Sequence, residues 1–394
     1  MTTHDWNYEL PPPEAYARQA TIVDQRALSA STVTLEGGGA LADLIALGLG
    51  GLGIGRVALP SAGERGIAAS LGEACEAGAT PLEELLTRLA PGTKCSTHQE
   101  LSAPTCVVMC ERGTASVHQE RNAVYARADN TEETVMIAGA ALAYIAAICQ
   151  GRRPLTRQFS PPKRRGLVAR GHTLHDAKIA LVGAGAIGTF CAIGSVLAGA
   201  RHIDIIDEDT VEYTNLNRQV LFYERIGEPK ATVLHERIRR LAPVEGSPVV
   251  ANISSITVDL LAGHDLIFSC VDTKAPRKIL NEYACEKKIA LIDGGTSALG
   301  GQALAYVPGE TSCIGCRREI DSPDERPSNS CQRSPTPSII FPNMVIGAMM
   351  VRLARDVIDG VFTEEIITYD ARENTIYDAL CAKRRESCGC GRGR

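Results

Sequence analysis

Ile179-Ala-Leu-Val-Gly183-Ala-Gly185-Ala-Ile-Gly188, followed by an apolar run and then His202-Ile-Asp-Ile-Ile-Asp207, is the stretch that decides the fold. The first apolar run predicts a buried strand, the glycines a tight turn onto a helix, and the second run a neighbouring strand. The same order occurs earlier, as Val33-Thr-Leu-Glu-Gly37-Gly38-Gly39-Ala-Leu-Ala42 and then Arg56-Val-Ala-Leu-Pro60-Ser61. The two stretches align without a gap at a constant offset of 146, Val33 against Ile179. At that offset Gly188 faces Ala42 and Asp207 faces Ser61, so only the later copy has the third glycine and the acidic residue of a nucleotide turn.

The likeness extends beyond the glycines. Val107-Val-Met-Cys110-Glu111-Arg112 parallels Ile267-Phe-Ser-Cys270-Val271-Asp272 at an offset of 160, and Ile137-Ala-Gly-Ala-Ala-Leu resembles Val345-Ile-Gly-Ala-Met-Met. Duplication followed by decay of the first copy accounts for this; the alternative is chance similarity between two generic βαβ units. Strands are expected at Ile179–Val182, His202–Ile206, Pro248–Ala251, Asp265–Cys270 and Ala290–Asp293, alternating with helices. The expected class is α/β: two tandem Rossmann-like folds, their sheets mostly parallel, with helices on both faces.

With 394 residues the chain has room for two such units. A net charge of −5 gives no nucleic-acid footprint and no membrane-surface patch. The polar start MTTHDWNYELPPPE reads against a signal peptide, and no apolar run is long enough to span a bilayer, so a cytoplasmic protein is expected. Residues 1–150 are read as the disarmed unit, 151–171 as a basic linker centred on Lys163-Arg164-Arg165, and 172–394 as the active unit. Among the 14 cysteines, Cys313-Ile-Gly-Cys316 and Cys388-Gly-Cys390 cluster as metal ligands would, while Cys110, Cys149, Cys191, Cys270 and Cys285 read as small buried hydrophobes.

Asp207 suits a ribose hydroxyl, but the stretch after it departs from a dinucleotide site. Asp207-Glu-Asp209 leads to Asn215-Leu-Asn217-Arg218-Gln219 and then Pro229-Lys230, an amide and two cations placed where a triphosphate could extend. An NAD-dependent oxidoreductase, or an inactive Rossmann scaffold, is the rival of another class, and neither needs two such cations.

These motifs, with Cys270-Val-Asp272 and the paired cysteines, resemble the ubiquitin-activating superfamily of ThiF/MoeB-like adenylyltransferases. The resemblance covers about residues 170–390, and 15–150 in degenerate form. It implies two adenylation folds joined as an intramolecular pseudo-dimer, so that no higher oligomer is required. It places ATP on Gly183, Gly185 and Gly188, with the ribose on Asp207 beside Asp209. Asn215, Arg218, Gln219 and Lys230 fall at the phosphates, and Asp272 at Mg²⁺. Arg18, in Tyr16-Ala-Arg18-Gln19, matches an arginine that reaches across to the partner fold's ATP; Arg157-Gln158 is a weaker echo. Arg112, facing Asp272 in the alignment, would repel a metal in the first copy.

The resemblance further implies Zn²⁺ on Cys313, Cys316, Cys388 and Cys390. The family ends in CxxC, so the CxC is a departure, and Cys381 is an alternative ligand. In the crossover loop, around 317–340, Cys331 matches a thioester-forming cysteine, with Arg333 nearby to favour the thiolate. Another family position for that cysteine, after Phe341-Pro342-Asn343, holds Met344. The implied partner is a ubiquitin-like (β-grasp) protein with a C-terminal glycine, passed on to a ubiquitin-conjugating-type enzyme. The alternative is adenylation of a sulfur carrier or a ribosomally made peptide.

Overall fold

The computed structural model describes residues 16–59, 86, 94–97, 106–111, 114–119, 122–127, 133–156, 158–161, 174–254, 257–322, 337–379, 388 and 390. Two sheets carry the fold. The first is built from β1 (Thr32–Gly37), β2 (Arg56–Leu59), β3 (Lys94–Thr97), β4 (Cys106–Glu111), β5 (Thr114–Gln119), β6 (Asn122–Arg127) and β7 (Gln158–Phe159), in the order β3-β2-β1-β4-β5-β6-β7. The second has β8 (Lys178–Val182), β9 (His202–Ile206), β10 (Pro248–Val249), β11 (Leu266–Ser269), β12 (Ala290–Ser297), β13 (Gly300–Tyr306), β14 (Ile366–Asp370) and β15 (Thr375–Ala379). Its order is β10-β9-β8-β11-β12-β13-β14-β15.

The sequence offsets reappear as strand register. Thr32 pairs with Arg56 and Val33 with Cys106; moved by 146 and 160 residues, these become the observed pairs Lys178–His202 and Ile179–Leu266. Strands β8 and β11 are apolar runs because they sit between helices on both faces, and Ile179 to Val182 and Leu266 to Phe268 are all buried.

The sheets are mixed: parallel pairings are in the majority, as expected, but each sheet also has an antiparallel section that was not foreseen. In the second, β10 to β12 run parallel, but β12, β13, β14 and β15 form an antiparallel succession. In the first, β4, β5 and β6 are antiparallel neighbours. Connection length is the physical reason, since a tight turn can only return the chain antiparallel whereas a parallel neighbour needs a crossover. Between β11 and β12 such a crossover exists, a 14-residue helix at Lys274–Lys287. Between β4 and β5 only residues 112 and 113 intervene, so the first half has no helix there.

Among the described residues the α-helices are α1 (Gln25–Ala30), α2 (Gly39–Leu52), α3 (Thr134–Cys149), α4 (Ala186–Leu197), α5 (Lys230–Leu241), the crossover helix α6, α7 (Ile314–Arg317) and α8 (Ile340–Ile358). Helix α3 is buried along nearly its whole length and α8 from Ile340 to Val351, which is why their sequences are apolar on every side. Glycines let them approach closely. A Cβ at Gly139 of α3 would come within 2.9 Å of the Met344 Cβ on α8, and one at Gly347 of α8 within 2.9 Å of the Cys191 amide on α4. Gly48 packs on Leu142 between α2 and α3, as Gly194 packs on Val351 between α4 and α8. Helices of both halves thereby share one apolar core. An ion pair, Arg352 to Glu133 at 3.2 Å, links α8 to the residue that precedes α3. No described helix is long and apolar enough to cross a membrane.

Candidate nucleotide site and thiol cluster

The C-terminal ends of β8, β9 and β11 converge on the glycine turn, at the side of a parallel sheet where α/β folds take ligands. Gly183 has φ +96°, and a Cβ there would meet the Cys270 carbonyl at 2.7 Å. At Gly188 a Cβ would meet the Gly183 carbonyl at 1.9 Å, so α4 packs directly on the turn. Gly185 differs: a Cβ would meet nothing within 4 Å. That open space lies at the N-cap of α4, which no side chain caps.

Asp207 closes the turn. One carboxylate oxygen accepts the Ala184 amide at 2.6 Å and the other the Asp209 amide at 2.7 Å. Burial nevertheless raises its pKa above the usual carboxylate value, against the lowering pull of Lys230 and of these amides. Lys230, at the start of α5, is itself buried and donates to Asp209 at 2.7 Å. A phosphate gripped by Lys230 would have to share it with that carboxylate.

Asn215 is buried and forms a reciprocal cap with Glu212, its side-chain oxygen accepting the Glu212 amide at 3.0 Å. It shapes the turn that presents Arg218. The Arg218 guanidinium donates to the Thr214 carbonyl at 2.6 Å and to Asn217 at 2.8 Å. Burial and the neighbouring Arg18 guanidinium push its pKa down to about 9, with Glu212 and Asp272 pulling the other way. Arg18 from the N-terminal segment, Arg218 and Asp272 therefore share one electrostatic neighbourhood. Asp272 is exposed on the rim after β11.

Two buried polar atoms here, Arg18 Nε and Gln219 Oε1, have no hydrogen-bond partner. Two guanidiniums in one partly dehydrated place, orphaned polar atoms and an open glycine turn fit a polyphosphate better than they fit a closed core.

The N-terminal segment is held by amides that sequence reasoning passed over. Asn217 donates to Gln19 and to the Ser338 carbonyl, both at 3.1 Å. Gln19 donates to Gln25 and to the Leu52 carbonyl, and the Ser338 amide donates to the Arg18 carbonyl. A run of small polar residues gives no periodic signal, so only the fold exposes this clamp.

Cys313, Cys316, Cys388 and Cys390 have sulfurs all within 4.8 Å of one another, with Cys313–Cys388 at 3.5 Å and Cys316–Cys390 at 3.9 Å. Tetrahedral Zn–S bonds of about 2.3 Å put sulfurs roughly 3.8 Å apart, so the donor set fits zinc. The terminal CxC supplies both sulfurs. Cys381 lies outside the described residues, as do Cys331 and Arg333 of the crossover segment, Arg112, Arg157, Ser61 and the Lys163–Arg165 linker. Phe341 to Met344 form the first turn of α8. Of the cysteines read as apolar, Cys110, Cys149, Cys191 and Cys270 are buried, and Cys285 is half-buried.

The model of the ThiF family matches residues 166–390. The chain is 31% identical over 172 residues to a "Ubiquitin-activating enzyme E1-like" protein of Saccharomyces cerevisiae, covering 42% of this chain and 27% of that one. It is 36% identical over 155 residues to a NEDD8-activating enzyme E1 catalytic subunit of Schizosaccharomyces pombe, covering 38% and 35%. It is 26% identical over 225 residues to the sulfur carrier protein ThiS adenylyltransferase of Escherichia coli, covering 55% and 87%. The matched region thus spans only about a third, or less, of the two yeast relatives. A crystal structure of Escherichia coli MccB with MccA-N7isoASN is similar at 23% identity and TM-score 0.48, covering 55% of this chain and 68% of that one. Matched by the family model over more than half of its length, the chain belongs to the ThiF family, within the superfamily of ubiquitin-activating enzymes and their adenylyltransferase relatives.

Proposed function

We propose that the chain activates a ubiquitin-like protein at the expense of ATP, using one complete site assembled within a single chain. What supports this reading is the N-terminal segment seated against the Asn215–Gln219 turn, where Asn217 holds Gln19 and the neighbouring Arg18 guanidinium acts electrostatically on Arg218. Residues 1–150 then act as a degenerate adenylation fold and 172–394 as the active one, joined by the 151–171 linker into an intramolecular pseudo-dimer. The shared core and matched registers support that division.

In the proposed reaction the carrier's C-terminal glycine carboxylate attacks the α-phosphate of ATP. An acyl–phosphate bond forms, the bond to the β-phosphate breaks, and pyrophosphate leaves. The carboxylate is already a nucleophile, so the task is alignment and neutralisation of developing charge. Asp207 would orient the ribose, Gly185 would admit the phosphates, and Arg18, Arg218 and Lys230 would stabilise the leaving pyrophosphate. Asp272 would hold Mg²⁺, which when bound supplies further charge neutralisation at the phosphates. The Cys331 thiolate would then attack the acyl carbon, forming a thioester and releasing AMP, for transfer to a conjugating-type enzyme. Zinc on the four thiols is assigned a structural part.

ATP–pyrophosphate exchange with a candidate carrier tests the reading. Exchange that depends on the carrier and is lost in Asp272→Ala is expected; a wild-type rate in that variant refutes it. A thioester trapped on Cys331 separates this function from simple adenylation of a sulfur carrier, which leaves no such bond.

A further inference from the structure

The loop that ends in Asp272 is held by a buried network that no sequence motif announced. Asp293, on β12 and fully buried, accepts from Ser269 at 2.7 Å and from Arg277 Nε at 2.8 Å through one oxygen. Its other oxygen accepts from Arg318 at 2.5 Å. Arg277 reaches further with its second arm, donating to the Val271 carbonyl at 2.6 Å and the Gly294 carbonyl at 3.1 Å. The Val271 carbonyl belongs to the peptide unit that leads into Asp272. Arg318 directly follows the turn of α7 that carries Cys313 and Cys316, and its amide closes that turn on the Ile314 carbonyl at 2.8 Å.

The geometry contains a choice. A guanidinium facing a buried carboxylate prefers to take both oxygens as a fork. Arg277 takes only one, because Arg318 occupies the other. Its free arm is therefore available to the Val271 carbonyl. Without Arg318 the second Asp293 oxygen would be buried and unsatisfied, and Arg277 could satisfy it by swinging into the fork and releasing Val271.

We propose that Arg318 is a positioning residue for Asp272, acting through Asp293 and Arg277, and that the thiol-bearing turn of α7 thereby sets how the magnesium carboxylate is presented. The inference rests on the reading of Asp272 as the magnesium-binding residue.

The test is ATP binding by titration calorimetry on the full chain, with and without magnesium. In the wild type magnesium is expected to tighten ATP binding, and Asp272→Asn to remove that gain. Arg318→Leu is expected to cut the magnesium-dependent gain about tenfold while leaving magnesium-free ATP affinity within about twofold, and Arg318→Lys, which still reaches Asp293, restores most of it. Arg277→Lys keeps the charge but loses the second arm, and must give the same loss if Arg318→Leu does not fold. A purely structural role would move both affinities and the thermal midpoint together, and that result overturns the proposal. If Asp272→Asn removes the gain and Arg318→Leu keeps it, the proposal alone falls. If Asp272→Asn keeps the gain, the magnesium reading falls first and takes the proposal with it.

Discussion

Two glycines three residues apart make opposite predictions, and the contrast isolates ligand binding from folding. Gly185 has φ −76°, where an alanine is unstrained, and its Cβ would meet nothing within 4 Å. Gly185→Ala should therefore leave folding intact, or stabilise it by about 0.4–1 kcal/mol through the unfolded chain. A methyl group there would occupy the space the phosphates need, and displacing them by about an ångström should weaken ATP binding at least tenfold, about 1.4 kcal/mol. Gly188→Ala puts its Cβ 1.9 Å from a backbone carbonyl that cannot move without opening the turn. Overpacking of that kind costs about 1–3 kcal/mol or more. Differential scanning calorimetry of the two variants, with ATP titrations on each, reads both quantities. Wild-type ATP affinity in Gly185→Ala would refute the assignment of this turn as the phosphate cradle, and an unchanged midpoint in Gly188→Ala would refute the packing argument.

Arg18→Ala should slow carrier-dependent exchange by about 10²-fold with an unchanged circular dichroism spectrum, because it removes charge stabilisation and no core contact; an unchanged rate removes it from the site. Asp207 titrates above its ordinary value because of burial, so its ionised form, which would bind the ribose, is lost early on acidification. The sign follows: the cost of its buried charge appears as pH rises through the folded value, while the ATP-affinity advantage of wild type over Asp207→Ala should shrink as pH falls through it. An advantage that grew toward acid would contradict this. The thiol cluster should carry one zinc per chain by elemental analysis, and Cys390→Ser should lose both the metal and thermal stability; a metal-free wild type of undiminished midpoint would rule zinc out. Gly347→Ala should destabilise the chain by about 1–3 kcal/mol in denaturant titrations, since α8 would be forced off α4.

The parallel core of each half was legible in the sequence, because strands buried on both faces leave unbroken apolar runs and the glycine turns anchor their register. The offsets between Val33 and Ile179 and between Cys106 and Leu266 therefore survived into paired strands. Strands β13 to β15 were not legible. The turn from β12 to β13 uses Ala298-Leu299, which carries no hairpin signature, and β15 is a polar edge with Tyr377 exposed. The thiols were readable as a set, but not the pairing of sulfurs some 75 residues apart. The resemblance put Lys230 at the phosphates and Asp209 beside the ribose carboxylate; only geometry shows them bonded to each other. Arg318 gave no signal at all, since its meaning depends on a carboxylate 25 residues earlier on another element.

The two-residue connection between β4 and β5 bears on the history of the molecule. Where the second half crosses over through α6, the first turns straight back on itself. A glycine in place of Ala42 can return by a single base change, and an aspartate in place of Ser61 by two. A missing crossover of helix length cannot, because it needs an insertion that also reverses the direction of the next strand. Restoring Ala42 to glycine and Ser61 to aspartate would therefore leave the first half as far from a second active site as before. On the proposed reading of the first half as a decayed copy, the asymmetry works as a ratchet, because point substitutions alone cannot rebuild the crossover that α6 supplies in the second half.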